Sequence, residues 1–77
     1  MTTIREFTSR MWYAQKIAVI KWKDFDKCND IDDIRKAALM VGENYQLSSV
    51  NYDKVNRMMV DSYGVIDDTL IIEVHGD

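Results

Sequence analysis

The sequence predicts a small α+β domain in two layers, with two to three short strands packed against two to three helices. Apolar residues recur at three- and four-residue spacing in some segments and alternate in others, which are the periods of helices and strands. The chain has 77 residues, of which 47% are hydrophobic, so residues 1–77 are expected to form a single domain. Proline is absent and glycine occurs only three times, so no flexible linker is predicted.

Residues 4–15 are predicted to form a short helix. Thr3 and Glu6 have the spacing of a capping box, and the apolar residues that follow fall on one helical face. In residues 16–23 β-branched side chains dominate and both faces are largely apolar, which favours a mostly buried strand. The alternative is that residues 4–22 form one continuous helix.

A second helix is predicted over residues 31–41. Asp30 is its candidate N-cap, and acidic residues in its first turn suit the positive end of the helix dipole. Gly42 is the expected end of this helix. Residues 45–50 fit either a short edge strand or a connection.

The C-terminal part predicts a third helix followed by a strand. Asn51 is a candidate N-cap, residues 52–63 place apolar side chains on one face, and Gly64 suits a helix C-terminus. Asp67-Asp68 predicts a turn. Residues 69–75 alternate cleanly and predict a strand, with Leu70, Ile72 and Val74 on one face and Ile71, Glu73 and His75 on the other.

Several kinds of chemistry are not predicted. An EF-hand loop needs Gly at position 6 and Glu at position 12, and the acidic run 24–33 has neither in the registers that begin at Asp24 or Asp26. His75 and Cys28 have no catalytic partner pattern, although adjacent Lys27 is expected to lower the Cys28 pKa slightly. We therefore expect no enzymatic activity, no metal and no cofactor.

The location is expected to be the cytoplasm. The single Cys28 cannot form an internal disulfide, which is typical of a reducing compartment. The longest apolar run, residues 17–20, is far too short to span a bilayer, so no membrane association is expected.

The distribution of charge and of aromatic residues favours an interaction protein. Residues 1–23 carry +4 and residues 24–77 carry −7, within a net charge of −3. Eight large rings exceed what so small a core can bury, and exposed Trp and Tyr are typical of protein–protein contacts. The basic N-terminal segment also supports an alternative, a nucleic-acid-binding regulator that uses Lys16, Lys21, Lys23, Trp12 and Trp22. A homo-oligomeric structural subunit is a third hypothesis.

The C-terminal part also resembles a known family. The matching residues are Tyr52, Val55-Asn56-Arg57, Val60, Tyr63, Ile66-Asp67-Asp68, Glu73-Val74 and Gly76. This pattern, over about 25 residues, resembles the C-terminal half of Dmd, the small antitoxin of T4-type bacteriophages. The chain departs from that family in its added segment 1–15, in Gly64-Val65, and in the helix predicted over 31–41, where the family suggests a strand.

The resemblance implies an early phage protein that acts inside the bacterial host. It would bind a toxin ribonuclease of the RNase LS type, or another defence nuclease, and occlude its basic RNA-binding cleft with an acidic surface. Asp67 and Asp68 are the first candidates for contact. The full set of candidate partner-binding residues is Asp67, Asp68, Glu73, Tyr63, Trp12 and Trp22.

Overall fold

Four strands form one mixed sheet. They are β1 (Lys16–Lys21), β2 (Met40–Glu43), β3 (Met59–Ile66) and β4 (Thr69–His75). Their order across the sheet is β2-β1-β4-β3. The central strands β1 and β4 are parallel, whereas β2 and β3 lie antiparallel to their neighbours and form the two edges. The computed structural model describes residues 2–75, so Gly76, which contributes to the resemblance, lies outside the described residues.

Short helices connect the strands. They are α1 (Ile4–Thr8), α2 (Trp22–Phe25), α3 (Ile31–Ala37) and α4 (Asp53–Asn56), with 3₁₀ helices over Asn44–Ser48 and Val50–Tyr52. The predicted α+β class is confirmed. The described residues form four strands and four α-helices where two to three of each were expected.

Apolar side chains cover both faces of the sheet. The larger core lies on the face that α1 covers, here called the α1 face: Ile4, Ile17, Val19, Met40, Leu47, Leu70, Ile72 and Val74. The opposite face, called the α3 face, holds a smaller core: Ala18, Ile20, Ile34 and Ile71. Because helices pack on both faces of the sheet, the predicted two-layer arrangement is wrong, and the domain has three layers. Successive residues of β1 and β4 therefore point alternately into one or the other of these two apolar cores, which explains why residues 17–20 are apolar without interruption.

The N-terminal predictions hold in part. Thr3 and Glu6 form the predicted capping box, but α1 ends at Thr8 and not at residue 15. Residues 16–21 are a strand, so the alternative of one helix over residues 4–22 is wrong. Asp30 caps α3 as predicted, since its carboxylate accepts a hydrogen bond from the Asp33 N–H at 2.9 Å.

Two helices were predicted to be too long, because the last residues assigned to each of them pair with another strand and are themselves strands. The helix predicted over 31–41 ends at Ala37, and Met40–Glu43 pairs with β1 as β2. The helix predicted over 52–63 is wrong after its first turn, and Gly64 does not cap a helix but lies within β3. Asp67 and Asp68 form the predicted turn with φ of 49° and 61°. Positive φ at both central residues is the geometry of a type I′ turn, one of the two common turns of two-residue β-hairpins.

The α1 capping box gives a testable dependence on pH. Glu6 accepts hydrogen bonds from the Thr3 N–H at 3.1 Å and the Thr3 hydroxyl at 3.0 Å. These hydrogen bonds lower the pKa of Glu6. The carboxylate therefore stabilises the fold at pH above its unfolded-state pKa, and this contribution is lost as pH falls through the lowered folded-state pKa.

We expect Glu6→Gln to be less stable than the native chain at pH 7, with the difference shrinking towards pH 3. Gln retains the acceptor of the capping box but does not titrate. Urea unfolding at a series of pH values measures the difference. A difference in stability that widens on acidification would contradict this role of Glu6. Asp26→Asn, at an exposed carboxylate outside the capping boxes, serves as the control.

Candidate interaction surface

The edge strand β3 is the most exposed part of the sheet. All of its residues from Asp61 to Ile66 are exposed, whereas β4 beside it is almost entirely buried. The other edge strand, β2, has only four residues. Long, exposed edge strands pair readily with further chains, so β3 is the feature of this fold that most needs an explanation.

An apolar patch covers β3 on the α1 face. We call Phe7, Met11, Trp12, Tyr63 and Val65 the β3 patch. The rings of Phe7 and Tyr63 lie 5.0 Å apart, and Met11, Trp12 and Val65 line one shallow depression. The exposed fractions of Trp12, Tyr63 and Val65 are 67%, 64% and 68%. The exposed aromatic patch expected from the sequence is therefore present.

The loop of residues 9–15, which carries Trp12, is held in place by hydrogen bonds. The Asn44 carboxamide donates to the carbonyls of Thr8, Met11 and Trp12 at 3.2–3.3 Å. The Asn44 N–H also donates to the Gln15 carbonyl at 2.8 Å. Because one side chain bonds three carbonyls, the loop has a defined path and Trp12 is presented next to β3 instead of moving freely.

The same edge of the molecule is strongly acidic. We call residues 59–75, which comprise β3, the turn and β4, the acidic hairpin; this segment contains four acidic residues and no Lys or Arg. Asp61, Asp67 and Asp68 are exposed, and within residues 2–75 none of the three forms an ion pair. Gln15 donates a hydrogen bond to the Asp68 carbonyl at 3.3 Å and so joins the turn to the Trp12 loop.

The structure brings four of the six candidate residues to this edge. Trp12 and Tyr63 belong to the β3 patch, and Asp67 and Asp68 form the turn that follows β3. The other two lie elsewhere. Glu73 is on the α3 face, where it accepts a hydrogen bond from the Ser62 hydroxyl at 2.7 Å, and Trp22 begins α2 at the far end of β1.

Phe7, Val65 and Asp61 are parts of this surface that the sequence analysis did not single out. For Val65 and Asp61 a signal was nevertheless present, because a two-residue turn before a strand favours a hairpin, with the partner strand immediately before that turn. Applied to Asp67-Asp68, this rule identifies residues 59–66 as a strand and places Tyr63 and Val65 on one face.

The depression beside α1 is less suited to binding than the β3 patch. It has a volume of about 360 Å³, but its buried polar side chains are already paired. The Thr8 hydroxyl donates to the Ile4 carbonyl at 2.8 Å, and the Asn56 amide donates to the Leu47 carbonyl at 2.6 Å. No group of His, Cys, Asp and Glu in residues 2–75 could hold a metal ion.

The thiol pKa of Cys28 is shifted in the direction opposite to the one expected from its neighbour Lys27. Partial burial raises the pKa of its thiol, and the carboxylates of Asp33, Asp24 and Asp30 act in the same direction. The expected lowering of the pKa by Lys27 is therefore wrong. The thiol donates a hydrogen bond to the Asp24 carbonyl at 3.3 Å, as suits a structural cysteine.

The residues proposed for nucleic-acid binding are not gathered on one surface. Lys16 and Lys21 are the two ends of β1, so their backbones lie about 17 Å apart. The Lys23 ammonium lies over the Trp22 ring at 5.8 Å, while Trp12 belongs to the β3 patch. The geometry does not favour this alternative.

The comparisons with protein-family models, with curated proteins and with solved structures find no match for this chain. The resemblance to Dmd therefore stays a prediction that rests on the residues quoted for it. Within residues 2–75, no helix is long and apolar enough to cross a membrane.

Proposed function

We propose that this chain is a non-enzymatic inhibitor that binds a host protein and occludes its nucleic-acid-binding site. The observation that carries the proposal is the coincidence of the β3 patch and the acidic hairpin at one edge of the fold. Exposed aromatic side chains provide binding energy, while a field of carboxylates selects a basic surface and accelerates association with it.

The resemblance to the Dmd family supports a more specific form of this proposal. The chain is then a bacteriophage protein of the host cytoplasm, and its partner is a toxin ribonuclease or a defence nuclease. A cleft that binds RNA carries Lys and Arg side chains for the phosphates. Asp61, Asp67 and Asp68 compete for those side chains, so inhibition is competitive with RNA.

An inhibition assay with a purified toxin ribonuclease of the RNase LS type tests this proposal. We expect the chain to raise the apparent KM for RNA and to leave kcat unchanged, with an effect that weakens as salt increases. The variant Asp61→Asn/Asp67→Asn/Asp68→Asn is expected to bind at least tenfold more weakly. Asn tolerates positive φ, so the turn is preserved.

The matched control removes three acids from the other side of the molecule. Asp24→Asn/Asp26→Asn/Asp32→Asn changes the net charge by the same amount in the α2–α3 region, and it is expected to inhibit as well as the native chain. Equal losses in both variants would show that net charge alone acts, which contradicts the proposal. Absence of inhibition by the native chain would also contradict it.

A further inference from the structure

The backbone of β3 has an open hydrogen-bonding edge. In a hairpin with a two-residue turn, the pair that flanks the turn is hydrogen-bonded, and bonded and non-bonded pairs then alternate. Ile66 and Thr69 flank the turn and form the first, hydrogen-bonded pair. The next pair, Val65 with Leu70, is non-bonded, and so is the pair of Tyr63 with Ile72, two residues further from the turn. The N–H and C=O groups of Tyr63 and Val65 therefore point away from β4, towards the open edge.

The N-terminal segment already uses the beginning of this edge. The Val60 N–H donates to the Thr2 carbonyl at 2.8 Å, and the Ile4 N–H donates to the Met58 carbonyl at 2.9 Å. Thr3 forms an antiparallel bridge with Met59 between them. The chain then turns into α1 and leaves the edge, so among the described residues the stretch from Asp61 to Ile66 has no neighbouring strand on the side away from β4.

The charges around this stretch decide which occupant fits. Asp61 lies at one end of the open stretch, at a bulge where the pairing with β4 shifts register, and Asp67, the first residue of the turn, lies at the other end. Tyr63 and Val65 lie between them on the α1 face. A second copy of the chain would bring its own Asp61, Asp67 and Asp68 against the same three residues, and like charges across a strand pair are destabilising.

We propose that the open stretch of β3 accepts an extended segment of the partner protein as a fifth, antiparallel strand. The segment carries Lys or Arg at both ends and apolar residues at two alternate positions between them. Its two apolar residues pack on Tyr63 and Val65 and exchange backbone hydrogen bonds with them, and its basic ends face Asp61 and Asp67. The inference rests on the proposed function, in that the partner is taken to be basic.

Short peptides test the inference without the nuclease. The probe is the peptide acetyl-RTVTVTR-amide, titrated into the ¹⁵N-labelled full chain and followed by NMR. We expect saturable shifts and slowed amide exchange at Tyr63 and Val65, and weaker binding as salt increases. The charge-reversed peptide acetyl-ETVTVTE-amide is expected not to bind.

N-methylated peptides separate strand pairing from simple contact with the patch. In antiparallel pairing the two Val amides of the probe point towards β3 and the Thr amides point away. N-methylation of both Val residues is therefore expected to abolish binding, whereas N-methylation of the central Thr is expected to preserve it. Equal binding of the two methylated peptides, or loss only with the Thr-methylated peptide, would overturn antiparallel strand addition.

Variants of the chain complete the test. Val65→Lys places a positive charge on the open edge and is expected to remove the saturable shifts, whereas Val50→Lys, at a side chain that is 80% exposed outside the sheet, is expected to leave them unchanged. Absence of binding by the native chain would overturn strand addition even if the nuclease were inhibited. Binding of the probe without inhibition of the nuclease would support strand addition and contradict the proposed function.

Discussion

Replacing Asn44 with Asp is expected to lower the free energy of unfolding by about 3 kcal/mol at pH 7. The Asn44 amide group donates to the carbonyls of Thr8, Met11 and Trp12. A carboxylate has nearly the same shape but no hydrogen to donate, so it places a negative charge against three carbonyl oxygens. We therefore expect the Trp12 loop to detach from the 3₁₀ helix Asn44–Ser48.

The loss of unfolding free energy in Asn44→Asp is also expected to depend on pH. Protonation of the introduced carboxyl removes its charge and restores one donor, so the gap from the native chain should narrow as pH falls. Urea unfolding from pH 7 to pH 4 measures the gap, with Asn51→Asp, at an exposed position, as the control. A Trp22→Phe background makes Trp12 the single tryptophan, and the anisotropy of its selectively excited fluorescence should fall in Asn44→Asp. A loss of unfolding free energy that is the same at every pH would contradict the role given to the introduced negative charge.

Ile72→Ala is expected to have the largest effect on stability, about 4 kcal/mol. Ile72 is fully buried in the middle of β4 and faces Val19 on one neighbouring strand and Tyr63 on the other. Truncation removes three carbons from the α1-face core and leaves a cavity that the surrounding strands cannot close. A domain of this size is stable by roughly 4–12 kcal/mol, so the variant is expected to be marginally folded.

Two further variants keep this prediction testable if Ile72→Ala does not fold. Ile72→Val removes one methylene and is expected to cost about 1 kcal/mol. Val65→Ala lies on the same face of the adjacent strand but is largely exposed, and it is expected to change stability by less than about 0.5 kcal/mol. Denaturant unfolding of the three variants would contradict the assignment of the core if Val65→Ala cost as much as Ile72→Val.

Local signals explain which elements could be predicted. The capping box of Thr3 and Glu6, the N-cap Asp30 and the turn Asp67-Asp68 all act through neighbours within a few residues, and each is present as predicted. The strand over residues 69–75 was equally clear, because its alternation matches the period of a pleated strand. These features require no knowledge of the rest of the fold.

The end of the helix predicted over 52–63 could not be located by periodicity alone. Val55, Met59 and Tyr63 have helical spacing, while residues 59–66 also contain the β-branched Val60, Val65 and Ile66. Pairing with the buried strand β4 decides the conflict in favour of a strand. The same competition shortened the helix over 31–41, where pairing with β1 turns residues 40–43 into β2.

The same distinction between local sequence signals and long-range strand pairing applies to the candidate site. The sequence by itself determined that aromatic and acidic side chains were in excess, and it singled out Trp12, Tyr63, Asp67 and Asp68 as candidate contact residues. Only the tertiary structure decided that these four share one edge while Trp22 and Glu73 lie elsewhere. The physical reason is that composition and spacing act over a few residues, whereas an exposed edge results from which strands pair in the centre. Because β1 and β4 occupy that centre, β3 lies at the edge with its backbone open.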